Sequence, residues 1–92
     1  EVDAGIVIDG AGIGSAIAAN KIPGSRAAPA MSETMARYSR EHNGANVLTL
    51  GASLVTIEQA QAIVAAWLGA SIREPRYLRR LAKIRALERR TR

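Results

Sequence analysis

The residues with the clearest chemical potential are Asp9 and the run behind it, Gly10-Ala11-Gly12-Ile13-Gly14-Ser15. An acid ahead of three alternating glycines places a proton-transfer group beside exposed backbone N–H groups, which together hold negative charge. The same acid could simply cap those N–H groups, and the residues alone leave both roles open. His42, followed by Asn43, is the only histidine. With no second histidine and no cysteine it has no zinc partner. On the residues alone it reads as a cation that suits a helix C-terminus or as a partly buried core residue. Arg76 and Arg80 lie one helical turn apart, so their side chains share a face. Two guanidinium forks there suit a phosphate, or else form a solvated basic surface that pairs with acids of another subunit. Lys83 extends that face, while Arg85, Arg89, Arg90 and Arg92 read as ordinary solvated charge.

Three strands and four helices are needed to position these groups. The apolar run Ala4–Ile8 lacks polar alternation and reads as a strand buried on both faces. Ile13–Lys21 reads as a short helix stopped by Pro23-Gly24, and Arg26–Ala30 as a weak second strand. Ser32 is a suitable N-cap for a helix on which Met31, Met35, Tyr38 and His42 recur along one face. Asn46–Leu50 reads as a third strand, ended by Gly51. Thr56 and Gln59 form a capping box for a helix with Ile57, Ala60, Val64, Trp67 and Leu68 as its apolar face and Gly69 as its C-cap. Pro75 opens a last helix striped by Leu78, Leu81, Ile84 and Leu87. Repeated strand–helix alternation predicts an open parallel α/β sheet with right-handed crossovers and helices on both faces, Rossmann-like or flavodoxin-like. Residues 1–72 form the βαβαβα part of a single α/β domain. Residues 73–92 form a basic C-terminal helix, expected to dock on a partner subunit because no obvious cover for its stripe remains within residues 1–72.

The 92 residues carry a net charge of +5, no cysteine and few aromatics. One domain with a modest, alanine-rich core follows. No disulfide or thiolate metal site is available. No apolar run reaches the roughly 20 residues of a membrane span, so no membrane partner is expected. Residues 73–92 hold nine basic and two acidic residues, and the body is slightly acidic. A basic tail on such a body suggests an anionic ligand or partner. It lacks an aromatic platform for bases and any recognition motif, so nucleic acid is not expected. Gly10, Gly12 and Gly14 miss the last glycine of the dinucleotide fingerprint, where Ser15 stands, and no acid ends the next strand. No nicotinamide and no other cofactor or metal is expected.

The stretch Ile6–Lys21 resembles the glycine loop of the type B ribose-5-phosphate isomerases, the family that also holds the galactose-6-phosphate isomerase subunits. Ser39-Arg40-Glu41-His42-Asn43-Gly44-Ala45-Asn46-Val47-Leu48-Thr49-Leu50-Gly51-Ala52 resembles the family's second signature, and Arg76-Tyr77-Leu78-Arg79-Arg80 its C-terminal pair of arginines. The glycine loop alone is weak evidence. The His-Asn-x-Ala-Asn-Val run behind it makes the match specific, and the three motifs cover nearly the whole chain. Two positions depart from the pattern: Asp9 stands where the family usually has Cys, and Ser53 where it has an Arg after Gly-Ala. Family members also begin upstream with an Asp-His motif on a first strand. The chain is therefore expected to be the C-terminal part of a longer protein, lacking the first strands and inactive by itself.

The resemblance implies a cytoplasmic sugar-phosphate aldose–ketose isomerase of the ribose 5-phosphate/ribulose 5-phosphate type, in pentose phosphate metabolism. Its base takes a proton next to the carbonyl, forms a cis-enediolate and returns the proton to the neighbouring carbon. In this sequence Asp9 is then the base and His42 opens the sugar ring. Gly10, Ala11, Gly12, Gly14, Ser15 and Asn43 contact the phosphorylated sugar, and Arg76 and Arg80 hold its phosphate. The resemblance also implies a homodimer or homotetramer with active sites shared between subunits. The exchange of Cys for Asp keeps a second reading open: a subunit of the same family that binds sugar phosphate without turning it over.

Overall fold

The computed structural model describes residues 4–91. Residues 1–3 and Arg92, the last of the charges read as solvated, lie outside the described part. Strands β1 (Gly5–Asp9), β2 (Ala27–Pro29) and β3 (Val47–Gly51) alternate with helices α1 (Gly14–Ala19), α2 (Glu33–Glu41) and α3 (Ile57–Leu68), and α4 (Pro75–Thr91) follows. The strands are all parallel, in the order β1-β3-β2. The chain steps from β1 past the centre to β2 and then back to β3. Right-handed crossovers in opposite directions put α1 on one face and α2 on the other. Helix α3 packs beside α2, and α1 lies on the strands. This is the open, three-layer α/β arrangement expected from the alternation.

Side-chain alternation along β3 divides the core. Leu48 and Leu50 enter the α2–α3 face and meet Ala30, Ala36, Ile63 and Trp67. Thr49 points the other way and, fully buried, donates its hydroxyl to the Gly12 carbonyl. Ala36 lets α2 approach α3 closely, and the Arg40 guanidinium lies 4.5 Å from the Trp67 ring. The helix ends follow local chemistry. Ser32 Oγ accepts from Met35 N, Thr56 and Gln59 bond reciprocally as a capping box, and Gly69 is the C-cap of α3.

Three expectations are corrected. β1 is not buried on both faces: Ile6, Val7 and Ile8 are exposed, Ile8 by 64%. Among the described residues β1 pairs with β3 alone, and the helices leave its faces partly open. The buried stripe of α3 runs through Ile63 and Trp67, while Ile57 and Leu68 face outward. They join Ile6, Ile8 and Val64 in one open apolar surface. The stripe of α4 finds part of its cover within the chain. Leu81 is buried beside Gly44, where an added Cβ would stand 3.0 Å from a Leu81 methyl. Gly44 has φ +62°, so the glycine meets both the turn and the helix contact. Leu78, Ile84 and Leu87 stay largely open.

Further along α4, the Glu88 carboxylate accepts from Gly24 N at 3.1 and 3.2 Å. Arg26, bonded through Nε to the Gly44 carbonyl, has its pKa lowered by burial first and by Arg85 second, with Glu88 opposing. It stays charged at any ordinary pH. No helix among the described residues is long and apolar enough to cross a membrane.

Of the glycine contacts, the tightest sets the end of β3 against the loop that follows β1. A Cβ on Gly51 would lie 2.7 Å from the Ala11 carbonyl carbon and oxygen, which are backbone atoms with nowhere to move. Gly51→Ala is therefore expected to destabilise the protein by about 1–3 kcal/mol in urea unfolding, the scale of overpacking. Gly10→Ala, with nothing within 4 Å, should stay within about 0.5 kcal/mol of the parent. A Gly51→Ala protein as stable as the parent would show that the loop does not rest on β3.

Candidate functional site

The glycine loop is fixed from two sides. From β1, Asp9 closes over it: Oδ1 accepts from Gly12 N and Oδ2 from Ser15 N, the latter at 3.1 Å. From β3, the strand end presses against it. Gly12 has φ +76°, and a Cβ there would stand 3.0 Å from Gly51 N and from the Leu50 carbonyl carbon. The turn after β3 is tied back as well, with Ala52 N donating to the Asp9 carbonyl at 2.8 Å and Ser53 N to the Gly10 carbonyl at 2.9 Å.

Asp9 is thus a cap in its hydrogen bonding, with its carboxylate locked in orientation. A carboxylate has about four acceptor sites, so two bonds leave each oxygen able to take a proton. Among the described residues the N–H groups of Ala11, Ile13 and Gly14 have no hydrogen-bond partner. The enclosed Ser15 Oγ also has none. A carboxylate of fixed orientation stands here beside backbone N–H groups that have no partner among the described residues.

His42 and Asn43 lie elsewhere. His42 is the C-cap of α2, and its backbone N donates to the Tyr38 carbonyl at 3.0 Å. Its ring is stacked between Tyr38, with centroids 4.3 Å apart, and Tyr77, at 4.4 Å. Arg80 Nη1 donates to the His42 carbonyl and to Asn43 Oδ1, both at 3.3 Å. The Arg76 guanidinium lies 4.6 Å from the Tyr77 ring, and its Nε pairs with Glu74 at 2.8 Å. That pair is mostly exposed and adds at most about 1 kcal/mol, so a phosphate can displace it. A cavity of about 320 Å³ opens beside this cluster, lined by His42, Ser71, Arg73, Glu74 and Tyr77 among others.

Two clusters therefore exist, and the fold keeps them apart. Asp9 pairs with Gly51 at the C-terminal end of β3. His42 and Asn43 sit in the turn that enters the N-terminal end of β3. There Asn46 is bonded to Arg26 and Gly24, just ahead of β2. The five residues of β3 separate the ends by four steps, roughly 13 Å at about 3.3 Å per residue. Asp9, Gly10, Ala11, Gly12, Gly14 and Ser15 are brought together at one end; His42, Asn43, Arg76 and Arg80 at the other. Sequence reasoning put Tyr38 on the helical face of His42 but gave it no role at the site, and it missed Tyr77 and Arg73 as neighbours of His42. Tyr38, four residues before His42 on a helix, was readable. Tyr77 and Arg73 were not, because they arrive with α4 and its linker.

The family model for Ribose/Galactose Isomerase matches residues 1–84. The chain belongs to this family. Ribose-5-phosphate isomerase B of Escherichia coli strain K12 is 47% identical over 90 residues, which are 98% of this chain and 60% of that protein. The structure of Clostridium thermocellum ribose-5-phosphate isomerase B superposes with a TM-score of 0.94 at 48% identity, over 98% of this chain and 61% of that one. The Mycoplasma genitalium enzyme, solved with bound ribulose-5-phosphate, gives a TM-score of 0.90 at 41% identity, over 94% and 57% of the two chains. The chain thus spans about 60% of the length of the family relatives it matches.

The two bonds to Asp9 carry a stability prediction. Asp9→Ala frees Gly12 N and Ser15 N and is expected to cost about 1 kcal/mol, within the 0.5–2 kcal/mol range of lost caps. Asp9→Asn, which keeps one accepting oxygen, should cost less. Urea unfolding of both variants decides this, and an Asp9→Ala protein of parental stability would mean that the carboxylate does not hold the loop.

Proposed function

We propose that the protein containing this chain is an aldose–ketose isomerase for a phosphorylated sugar of the ribose 5-phosphate/ribulose 5-phosphate type. The observation that carries this reading is the Asp9 carboxylate, fixed at the mouth of the glycine loop with unpartnered N–H groups beside it, in a chain of the ribose/galactose isomerase family. Asp9 takes the proton from the carbon next to the carbonyl. Loop N–H groups stabilise the enediolate oxygen, and Asp9 returns the proton to the adjacent carbon. Ser15 Oγ gains the hydrogen-bond partner it lacks from a sugar hydroxyl. His42 opens the ring, Asn43 contacts the sugar, and Arg76 and Arg80 hold the phosphate.

These groups must all come within hydrogen-bond reach of one small molecule, yet they stand at opposite ends of the sheet in one chain. We therefore place the complete site between two copies, with Asp9 and its loop from one and the His42–Arg80 cluster from the other. The open residues of the α4 stripe, Leu78, Ile84 and Leu87, are suited to cover in that contact. A second reading has an observation of its own. Both Asp9 oxygens already accept a loop hydrogen bond, which suits a sugar-phosphate-binding subunit whose carboxylate is only structural.

Turnover of ribose 5-phosphate by the full-length protein separates the two. Asp9→Asn keeps the size of the side chain and removes the base. A fall of at least about 100-fold in kcat, the scale of a lost general base, with sugar phosphate still bound, is expected. A rate within a fewfold of the parent, or a parent with no turnover, would leave Asp9 as a cap. The phosphate clamp has its own check. Arg76→Met or Arg80→Met should weaken sugar-phosphate binding by about 1.5–3 kcal/mol, the range for hydrogen bonds to a charged group. Binding of the unphosphorylated sugar should hardly change. Equal losses for both ligands would assign the arginines to the fold or the subunit contact.

A further inference from the structure

His42 lacks the usual device that aims a working histidine. One ring nitrogen of such a residue is normally fixed by a hydrogen bond to a carbonyl or carboxylate. Among the described residues neither ring nitrogen of His42 makes one; only its backbone N–H and carbonyl are bonded. What holds the imidazole is aromatic. Tyr38 of α2 covers one face at 4.3 Å with the planes 18° apart, and Tyr77 of α4 stacks on it at 4.4 Å and 21°. Stacking fixes the plane of a ring and leaves its edge free, and both nitrogens are on the edge. The Tyr77 ring also carries cationic groups, with Arg76 at 4.6 Å and Arg80 at 5.2 Å from it. The phosphate-binding arginines and the histidine thus share one platform.

We propose that Tyr38 and Tyr77 are positioning residues for ring opening, holding the His42 imidazole edge-on to the sugar. This rests on the isomerase reading and adds to it how the histidine is aimed. Ring opening breaks the bond between C1 and the ring oxygen. The bonding pair goes to the ring oxygen, which takes a proton, while the anomeric hydroxyl gives up its proton as C1 becomes an aldehyde. The imidazole hands over one proton and recovers the other, so none is consumed. Such a transfer needs nitrogens at hydrogen-bond distance in the plane of the moving proton. A ring free to rotate about its side-chain torsions meets that condition only part of the time.

The two directions of the reaction differ in their need for this step. Ribose 5-phosphate enters mostly as a closed ring. Ribulose 5-phosphate cannot close a five-membered ring, because its terminal hydroxyl is esterified, so it enters open. The aldehyde it yields can leave open and close in solution. A defect in ring opening therefore slows the ribose direction alone, whereas a damaged fold, clamp or base slows both.

The experiment measures kcat in both directions for full-length Tyr77→Leu, Tyr77→Phe and Tyr38→Leu. The leucine variants should lose about tenfold from the ribose direction, part of the 10²–10⁴ that acid–base groups supply. The ribulose direction should stay within about twofold. Tyr77→Phe, which keeps the aromatic face, should match the parent both ways. Tyr38 is half-exposed and does not carry the arginines, so Tyr38→Leu decides the matter if Tyr77→Leu fails to fold. Equal losses in both directions, or none, would overturn the positioning role and leave the isomerase intact. A parent without turnover in either direction would remove the isomerase reading itself, and this role with it.

Discussion

A parallel sheet has a direction, and in this chain the direction separates the chemistry. Every strand delivers its C-terminal residue to the same end, so Asp9 and the glycine loop gather there, beside Gly51. Every crossover returns the chain to the opposite end, so the turn after α2 carries His42 and Asn43 away from Asp9. Helix α4 runs past that second end. It is anchored by Leu81 against Gly44, by Glu88 on Gly24 and by Arg80 on the His42–Asn43 turn. No side-chain rearrangement joins the two clusters, because the length of β3 lies between them. In the proposed isomerase, a shared site follows from this geometry rather than from any special feature of an interface.

The first cluster depends on close backbone approach. Gly51 meets the loop at a distance no Cβ allows, Gly12 meets the strand at one that leaves a Cβ little room, and Thr49 secures the Gly12 carbonyl from inside the sheet. This rigidity makes an aspartate at position 9 workable in either role. It is held by two N–H groups and still has acceptor capacity to spare. A carboxylate in that setting caps the loop and keeps lone pairs open, so hydrogen bonding alone does not separate an active subunit from a silent one. The second cluster depends on stacking instead. His42 is stacked with rings from two helices, and Arg76 and Arg80 lie over one of them, Tyr77.

Much of the fold was legible because its signals are local. Glycines, proline and caps at Ser32, Thr56, Gln59, Gly69 and Pro75 mark element ends through their own backbone chemistry, and the structure uses them so. The α/β class followed from alternation. What was not legible depends on strand order. The run Ile6–Ile8 has the composition of a central strand, but β3 takes the centre, and only tertiary pairing reveals that. The apolar face of α3 was misjudged for the same reason. Ile63 and Trp67 face Leu48 and Leu50, whereas Ile57 and Leu68 look toward the open side of β1. The candidate site residues could be picked out by type and motif. Their division between two ends of the sheet could not, because spacing along the chain carries no information about which end of a strand a loop occupies. The stack of Tyr77 on His42 bridges 35 positions and becomes visible only once α4 is in place.

The shared site is tested most directly by combining two inactive chains. Full-length protein bearing Asp9→Asn is co-expressed with full-length protein bearing His42→Ala, each with its own affinity tag, and the mixed assembly is assayed with ribose 5-phosphate. In a twofold-symmetric pair of unlike chains, one of the two sites draws Asp9 and His42 from unmutated positions. Random pairing should then restore about a quarter of the parental activity, since about half of the dimers are mixed. Dimers purified through both tags should restore about half. Mixed dimers as inactive as either variant alone would contradict a site built across two copies.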